Sequence, residues 1–402
     1  MTKRILTIAT LLLALITQVG FAENNTTPTP SLSGRFFNLS YIGNALTIST
    51  TTPAWFYQFA GIKSLTGGFS ILNCTSDNGF CLFSASDTSA ANLTLRGPAT
   101  QPQLKLCLNG LGNTYSCESL NTGDRFAYVL NLNGNSVSLC PINSASGAFG
   151  TCVNAGATNL PAFPRFIAIN NSGTIAYVTS REENIVSRCP ISTDGTLGAC
   201  SNTNAGNTFN GPTGIVFNNA GSIAYVANSG GWVSKCPVNA DGSFGTCIDM
   251  DGNGIFLEPR GIALNKAGSI AYVVNIGDSN VSRCLINADG SFGTCALDDA
   301  TFNLPEGIAL NNEGSIAYVT SPLSVSLCPI NADGSFGTCI ALDDVTFNSL
   351  SGIALNNAGS IAYVSNSLGD TVSRCPINAD GSFATCTEIG NGLNRPEGIA
   401  LF

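Results

Sequence analysis

Gly261-Ile262-Ala263-Leu264-Asn265-Lys266-Ala267-Gly268-Ser269-Ile270-Ala271-Tyr272-Val273 is followed by Val281-Ser282-Arg283-Cys284 and a hairpin ending Gly293-Thr294-Cys295. It reads as four short strands separated by a turn, a variable loop and an Asp-Gly hairpin. The unit recurs. Ala-Tyr-Val has its tyrosine at 128, 177, 225, 272, 318 and 363, at spacings of 49, 48, 47, 46 and 45. Four short strands at this period are the pattern of a propeller blade. The first two strands are apolar on consecutive residues and do not alternate, so both faces are covered, as stacked blades require. A solenoid of parallel strands has shorter coils and lacks an Asp-Gly hairpin in every repeat.

The blade count follows from the ends of the repeat. Six units carry Ala-Tyr-Val. Ahead of them, Leu93-Thr94-Leu95 and 103–107, with a hairpin to Cys117, read as strands two to four of a further unit that lacks its first strand. The chain ends Arg395-Pro396-Glu397-Gly398-Ile399-Ala400-Leu401-Phe402, a first strand without its blade. Joining the two predicts an all-β propeller of seven four-stranded blades closed by the C-terminal strand, since an open ring would expose sheet edges. The propeller is then expected over 91–402, with a small N-terminal β element over 31–90. Should that element borrow Leu93 to Leu95, the count falls to six.

Residues 1–22 read as a signal peptide. Lys3 and Arg4 precede an apolar run from Ile5 to Ile16, and Gly20-Phe21-Ala22 offers small residues for cleavage after Ala22. An uncleaved anchor is the rival reading, and the apolar run is short for it. Residues 23–30 form a polar leader. A secreted or periplasmic monomer with no membrane span after cleavage is expected. The net charge of −9 and pI near 4.5 argue against nucleic acid as a partner.

Sixteen cysteines fall into eight local pairs: Cys74-Cys81, Cys107-Cys117, Cys140-Cys152, Cys189-Cys200, Cys236-Cys247, Cys284-Cys295, Cys328-Cys339 and Cys375-Cys386. In the last five the partners are 11 apart and straddle an Asp-Gly dipeptide, as in Asp241-Gly242. A two-residue turn there, with positive φ at both positions, sets the cysteines opposite each other at roughly 4.5–5.5 Å between Cα atoms. Structural disulfides are predicted. Metal binding fails on ligand spacing and on the absence of histidine.

The stretch Gly352-Ile353-Ala354-Leu355-Asn356-Asn357-Ala358-Gly359-Ser360-Ile361-Ala362-Tyr363-Val364-Ser365-Asn366, with Thr371-Val372-Ser373, resembles the repeat of lactonase-like propellers, close in style to NHL repeats. The resemblance covers 118–402 well and 91–117 weakly. It implies a seven-bladed ring used for binding and in some members for lactone hydrolysis. It hands over no catalytic residue, and the paired cysteines depart from the usual blade.

With no histidine and every cysteine paired, the familiar nucleophile-base constellations are absent and no catalytic residue is assigned. Asp249-Met250-Asp251-Gly252-Asn253-Gly254 resembles the start of a calcium loop, with Asp249, Asp251 and Asn253 as ligands. Its twelfth position is Arg260 where a glutamate should stand, so a polar turn is the first reading and calcium is the one cofactor left open. The position just before each first strand varies: Arg165, Thr213, Arg260, Glu306, Ser351 and Glu397. First strands line the central tunnel, so these side chains should ring one mouth of it. Trp232, in a variable rim loop, is a candidate anchor for a sugar or peptide. The expected function is a non-enzymatic binding module for a protein or glycan. The alternative is a lactonase-type hydrolase at the tunnel mouth, with or without calcium, using Glu306 and Glu397.

Overall fold

The computed structural model describes residues 126–402 apart from 144–145, 193, 204–208 and 299, together with the backbone of strands between 32 and 120. The expected signal peptide, its cleavage site, the polar leader and the Cys74-Cys81 pair's first member lie outside the described residues. The chain divides into two compact units, Met1–Thr122 and Gly123–Phe402. Among the described residues no helix is long and apolar enough to cross a membrane.

Each Ala-Tyr-Val unit builds one four-stranded antiparallel blade. The fourth blade is typical, with strands Pro259–Leu264, Ile270–Asn275, Asn280–Ile286 and Phe292–Leu297. Its second strand is buried along almost its whole length, with Ala271, Tyr272, Val273 and Val274 all fully enclosed. The apolar clusters cross from one blade to the next: Tyr225 and Val233 of the third pack with Ile262, Ala271 and Val273 of the fourth. Blade faces therefore form the core, which explains why the second strands do not alternate.

Six blades close the ring, not seven. The C-terminal strand Pro396–Leu401 pairs with Phe126–Asn131, aligning Ala127 with Leu401 and Val129 with Ile399. Thus the first Ala-Tyr-Val unit is the one without its own first strand, and the chain end supplies it. The strands assigned to a seventh blade go elsewhere. Asn92–Arg96 pairs with Ala45–Thr50 and Ser70–Leu72 in one five-stranded sheet of the N-terminal unit. Leu104–Asn109 and Tyr115–Leu120 belong to its other five-stranded sheet, where Cys107 and Cys117 are Cα partners. An apolar first-strand pattern cannot say which of two half-blades it completes; the register does.

All six repeat-borne disulfides form, from Cys140–Cys152 to Cys375–Cys386, with Cα atoms 4.0 to 4.2 Å apart. No described cysteine is free. The Asp-Gly turns differ from the expected two-residue form. In Asn239-Ala240-Asp241-Gly242-Ser243 the Gly242 amide donates to the Asn239 carbonyl at 2.9 Å, and only Gly242 has positive φ, 81°. This is a three-residue loop whose last residue forms a bulge. The Asp241 side chain holds it by accepting from the Ser243 amide and hydroxyl at 2.9 and 2.6 Å. A second register shift, between Cys284 and Ile286 in the fourth blade, then brings Cys284 opposite Cys295 although the partners are 11 apart.

Candidate functional site

The innermost strands of the six blades are Pro164–Ile169, Pro212–Phe217, Pro259–Leu264, Ile308–Leu310, Leu350–Leu355 and Pro396–Leu401. Glycine lets them approach. A Cβ on Gly307 would stand 2.6 Å from the Ser351 carbonyl, and one on Gly352 the same distance from that of Glu397. Gly214, Gly261 and Gly398 hold the equivalent place, and Phe166 replaces it in the second blade. These glycines are a packing requirement of the ring centre.

The six predicted rim positions do come together at this centre. In five blades the pairing of first and second strands slips there, between Pro164 and Ile167, Pro212 and Ile215, Pro259 and Ile262, Leu350 and Ile353, and Pro396 and Ile399. Such a bulge re-aims the side chain it carries. Two residues earlier the backbone is left-handed in every blade: Phe163, Gly211, Glu258, Leu304, Ser349 and Arg395 have φ between 48° and 65°. Five of the six are not glycine, so sequence gives no sign of the turn that delivers each rim residue.

Around the ring the order is Arg165, Thr213, Arg260, Glu306, Ser351, Glu397. One half is basic and the other acidic. Ion pairs join them at both seams: Arg260 Nε lies 3.8 Å from Glu306 Oε2, and Arg165 Nη1 lies 3.3 Å from Glu397 Oε1. Ser351 donates to Glu397 Oε2 at 2.7 Å, and Ser367 to Oε1 at 3.2 Å. Thr213 is folded into the backbone, its hydroxyl 2.9 Å from the Pro259 carbonyl and 3.1 Å from that of Ala227. Arg181, which rim-position reasoning missed, leans in from the loop after the second blade's Ala-Tyr-Val and donates to Ser229 Oγ at 3.3 Å.

Burial dominates the electrostatics. It raises the Glu306 carboxyl above the usual range, opposed by Arg260 and reinforced by Glu397. It lowers the Arg260 guanidinium, with Glu306 opposing and Arg181 and Arg165 pushing the same way. These mutual influences put all five charges in one field.

A second site lies between the third and fourth blades. Gly231, Trp232, Asp249, Met250, Asp251, Gly252, Asn253, Phe292 and Gly293 line an open cleft of about 490 Å³. It unites two readings the sequence had kept apart, the Trp232 anchor and the 249–254 turn. Met250 joins the blades, its sulfur 3.2 Å from the Phe292 amide. Asp249 Oδ1 accepts from Ser234 at 2.6 Å, and Asp251 Oδ1 accepts from the Asn253 amide at 3.0 Å. Among the described residues no group of three or more acidic, histidine or cysteine side chains could hold a metal ion. The Asp251-Asn253 bond is that of a polar turn closing on itself.

No protein-family model matches the chain, and no curated protein matches it. Solved structures do. The nidogen/laminin complex aligns with a TM-score of 0.53 at 15% identity, over 69% of this chain and 97% of that one. A Pseudomonas aeruginosa periplasmic gluconolactonase aligns at 0.46 and 13% identity, covering 86% and 98%. A proposed 6-phosphogluconolactonase from Bacteroides uniformis aligns at 0.46 and 18%, covering 66% and 82%. Proteins named as lactonases thus stand among the structural neighbours. At these identities the likeness shows the propeller fold alone.

Proposed function

We propose that this protein is an exported, disulfide-stapled binding module that takes a glycan in the cleft between its third and fourth blades. The observation that carries the reading is the meeting of Trp232 with Asp249, Asp251 and Asn253 around one concavity. A sugar ring has an apolar face that stacks on an indole and hydroxyls that donate to carboxylates. The cleft's volume falls in the range of small-ligand sites. Two carboxylates and no cation in its lining disfavour an anionic ligand. Six disulfides with no free cysteine among the described residues suit an oxidising compartment.

The test is glycan-array binding followed by calorimetry on neutral and amino sugars, with and without calcium. Trp232→Ala should weaken the selected glycan about thirtyfold, the scale of losing a central tryptophan anchor. Selection of basic peptides instead would replace the glycan by a protein partner, and unchanged affinity in the variant would remove the cleft from the account.

One observation favours a second reading, lactone hydrolysis at the tunnel mouth. Glu306 is pushed toward its protonated form by burial, which suits a general acid. Against it, Glu306 and Glu397 each lie beside an arginine. Lactone turnover that collapses in both Glu306→Gln and Glu397→Gln would favour the enzyme.

A further inference from the structure

Arg260 is 7% exposed, yet its Nε has no hydrogen-bond partner among the described residues. Its single ion pair among the described residues is the 3.8 Å approach to Glu306, beyond hydrogen-bonding range. Arg165 Nε is buried and unpartnered as well. A buried guanidinium with unused donors is costly, and such groups in a folded protein call for a missing partner.

The surroundings say what kind. Arg165 and Arg260 stand on the blades either side of that of Thr213, whose hydroxyl is turned into the backbone. Arg181 reaches the same blade from outside, its stem 3.3 Å from where a Cβ on Gly211 would stand. Three cations of like charge are thus gathered on one side of the mouth of a protein whose net charge is −9. Nothing in blade packing requires this, because Thr213 and Ser351 occupy equivalent places without charge. Guanidinium forks match oxyanions in shape and in donor number.

We infer that the basic half of the tunnel mouth, Arg165, Arg181 and Arg260, binds an oxyanion group carried by a small ligand. The acidic half, Glu306, Ser351 and Glu397, stands opposite to accept hydrogen bonds from the remainder of that ligand. Arg165 and Arg260 are held at the two seams by Glu397 and Glu306, and the anion completes their hydrogen bonding. This site uses none of the residues of the Trp232 cleft, so it stands or falls apart from the glycan reading.

Calorimetry on the full chain, at constant ionic strength in chloride, tests it with sulfate, inorganic phosphate and D-glucuronate as probes. Saturable binding of at least one is expected; the tetrahedral ions and the carboxylate distinguish the two sources of the group. Arg181→Gln, a half-buried loop change that leaves the blade core intact, should weaken binding about tenfold to a hundredfold, the scale of a lost charged hydrogen bond. Glu306→Gln frees Arg260 from its competitor and should tighten it. Absence of saturable binding for all three probes would overturn the inference, as would affinity unchanged by Arg181→Gln or weakened by Glu306→Gln.

Discussion

The hydroxyl of Tyr363 donates to the carbonyl of Gly147 at 2.7 Å, across 216 residues of chain. It is the closing member of a circular series. Tyr128 reaches Gly195, Tyr177 Gly242, Tyr225 Gly290, Tyr272 Gly334 and Tyr318 Gly381, at 2.6 to 2.8 Å. Each Ala-Tyr-Val tyrosine thereby ties its blade to the turn of another, and five of them stack on the phenylalanine that follows that turn. After the Gly195 turn that place is held by Leu197, and Tyr128 packs edge-on against Phe402 instead.

Tyr363→Phe removes one of these bonds and leaves a buried carbonyl unpaired. The variant should lose about 1–3 kcal/mol of stability in urea unfolding, with an unchanged denaturant slope. No loss would mean that the bond does not hold the first and last blades together.

The same tyrosines make the ring sensitive to alkali. Burial pushes the hydroxyls of Tyr177, Tyr225, Tyr272 and Tyr318 up to about 12 from 10.0. Between those values the unfolded chain has released protons that the folded chain retains, so stability falls as pH rises. It is fully present below pH 10 and is lost on the way to about 12. Tyrosinate absorbance and circular dichroism, recorded promptly after a pH jump, should change together in one transition. Gradual tyrosine titration in a chain that stays folded would contradict this.

The hairpin disulfides act on the unfolded chain. Replacing Cys284 and Cys295 together by alanine should cost about 3 kcal/mol, the chain-entropy value for a loop of about 12 residues. Thermal unfolding of the variant checks it, and a far smaller loss would contradict a stabilising role for the bond.

Backbone strain at the rim gives a change of opposite sign. Leu304 holds φ at 49° and is half exposed, so little packing is lost on removing its side chain. Leu304→Gly should stabilise by about 1 kcal/mol, since a side chain in the left-handed region costs roughly 1–2. Destabilisation would show that Leu304 contributes packing worth more than the strain.

The period, the four-strand blade and the six disulfides were legible because each rests on local chemistry: apolar runs, tight turns and cysteines brought face to face by a hairpin. The positions before the first strands stood out because their charge varies against a constant background. Three things were not. Whether Pro396–Leu401 completes the unit at Tyr128 or one further upstream depends on pairing across the whole chain. Arg181 carries no mark that separates it from an ordinary loop arginine. The Trp232 cleft needs Phe292 of the next blade, and a sequence read one repeat at a time cannot join them.

The chain end closes the six-bladed ring on the first Ala-Tyr-Val strand. Phe126 and Phe402 exchange both backbone hydrogen bonds at 2.9 Å, so the neighbouring partners Ala127 and Leu401 form a non-hydrogen-bonded pair, where opposed side chains are closest. In the double variant Ala127→Cys, Leu401→Cys, mass mapping of the oxidised protein should find these two positions joined and the native pairs intact. Free thiols at both, or a bond from 401 to a cysteine placed at Leu93 or Leu95 in a parallel variant, would contradict the six-bladed closure.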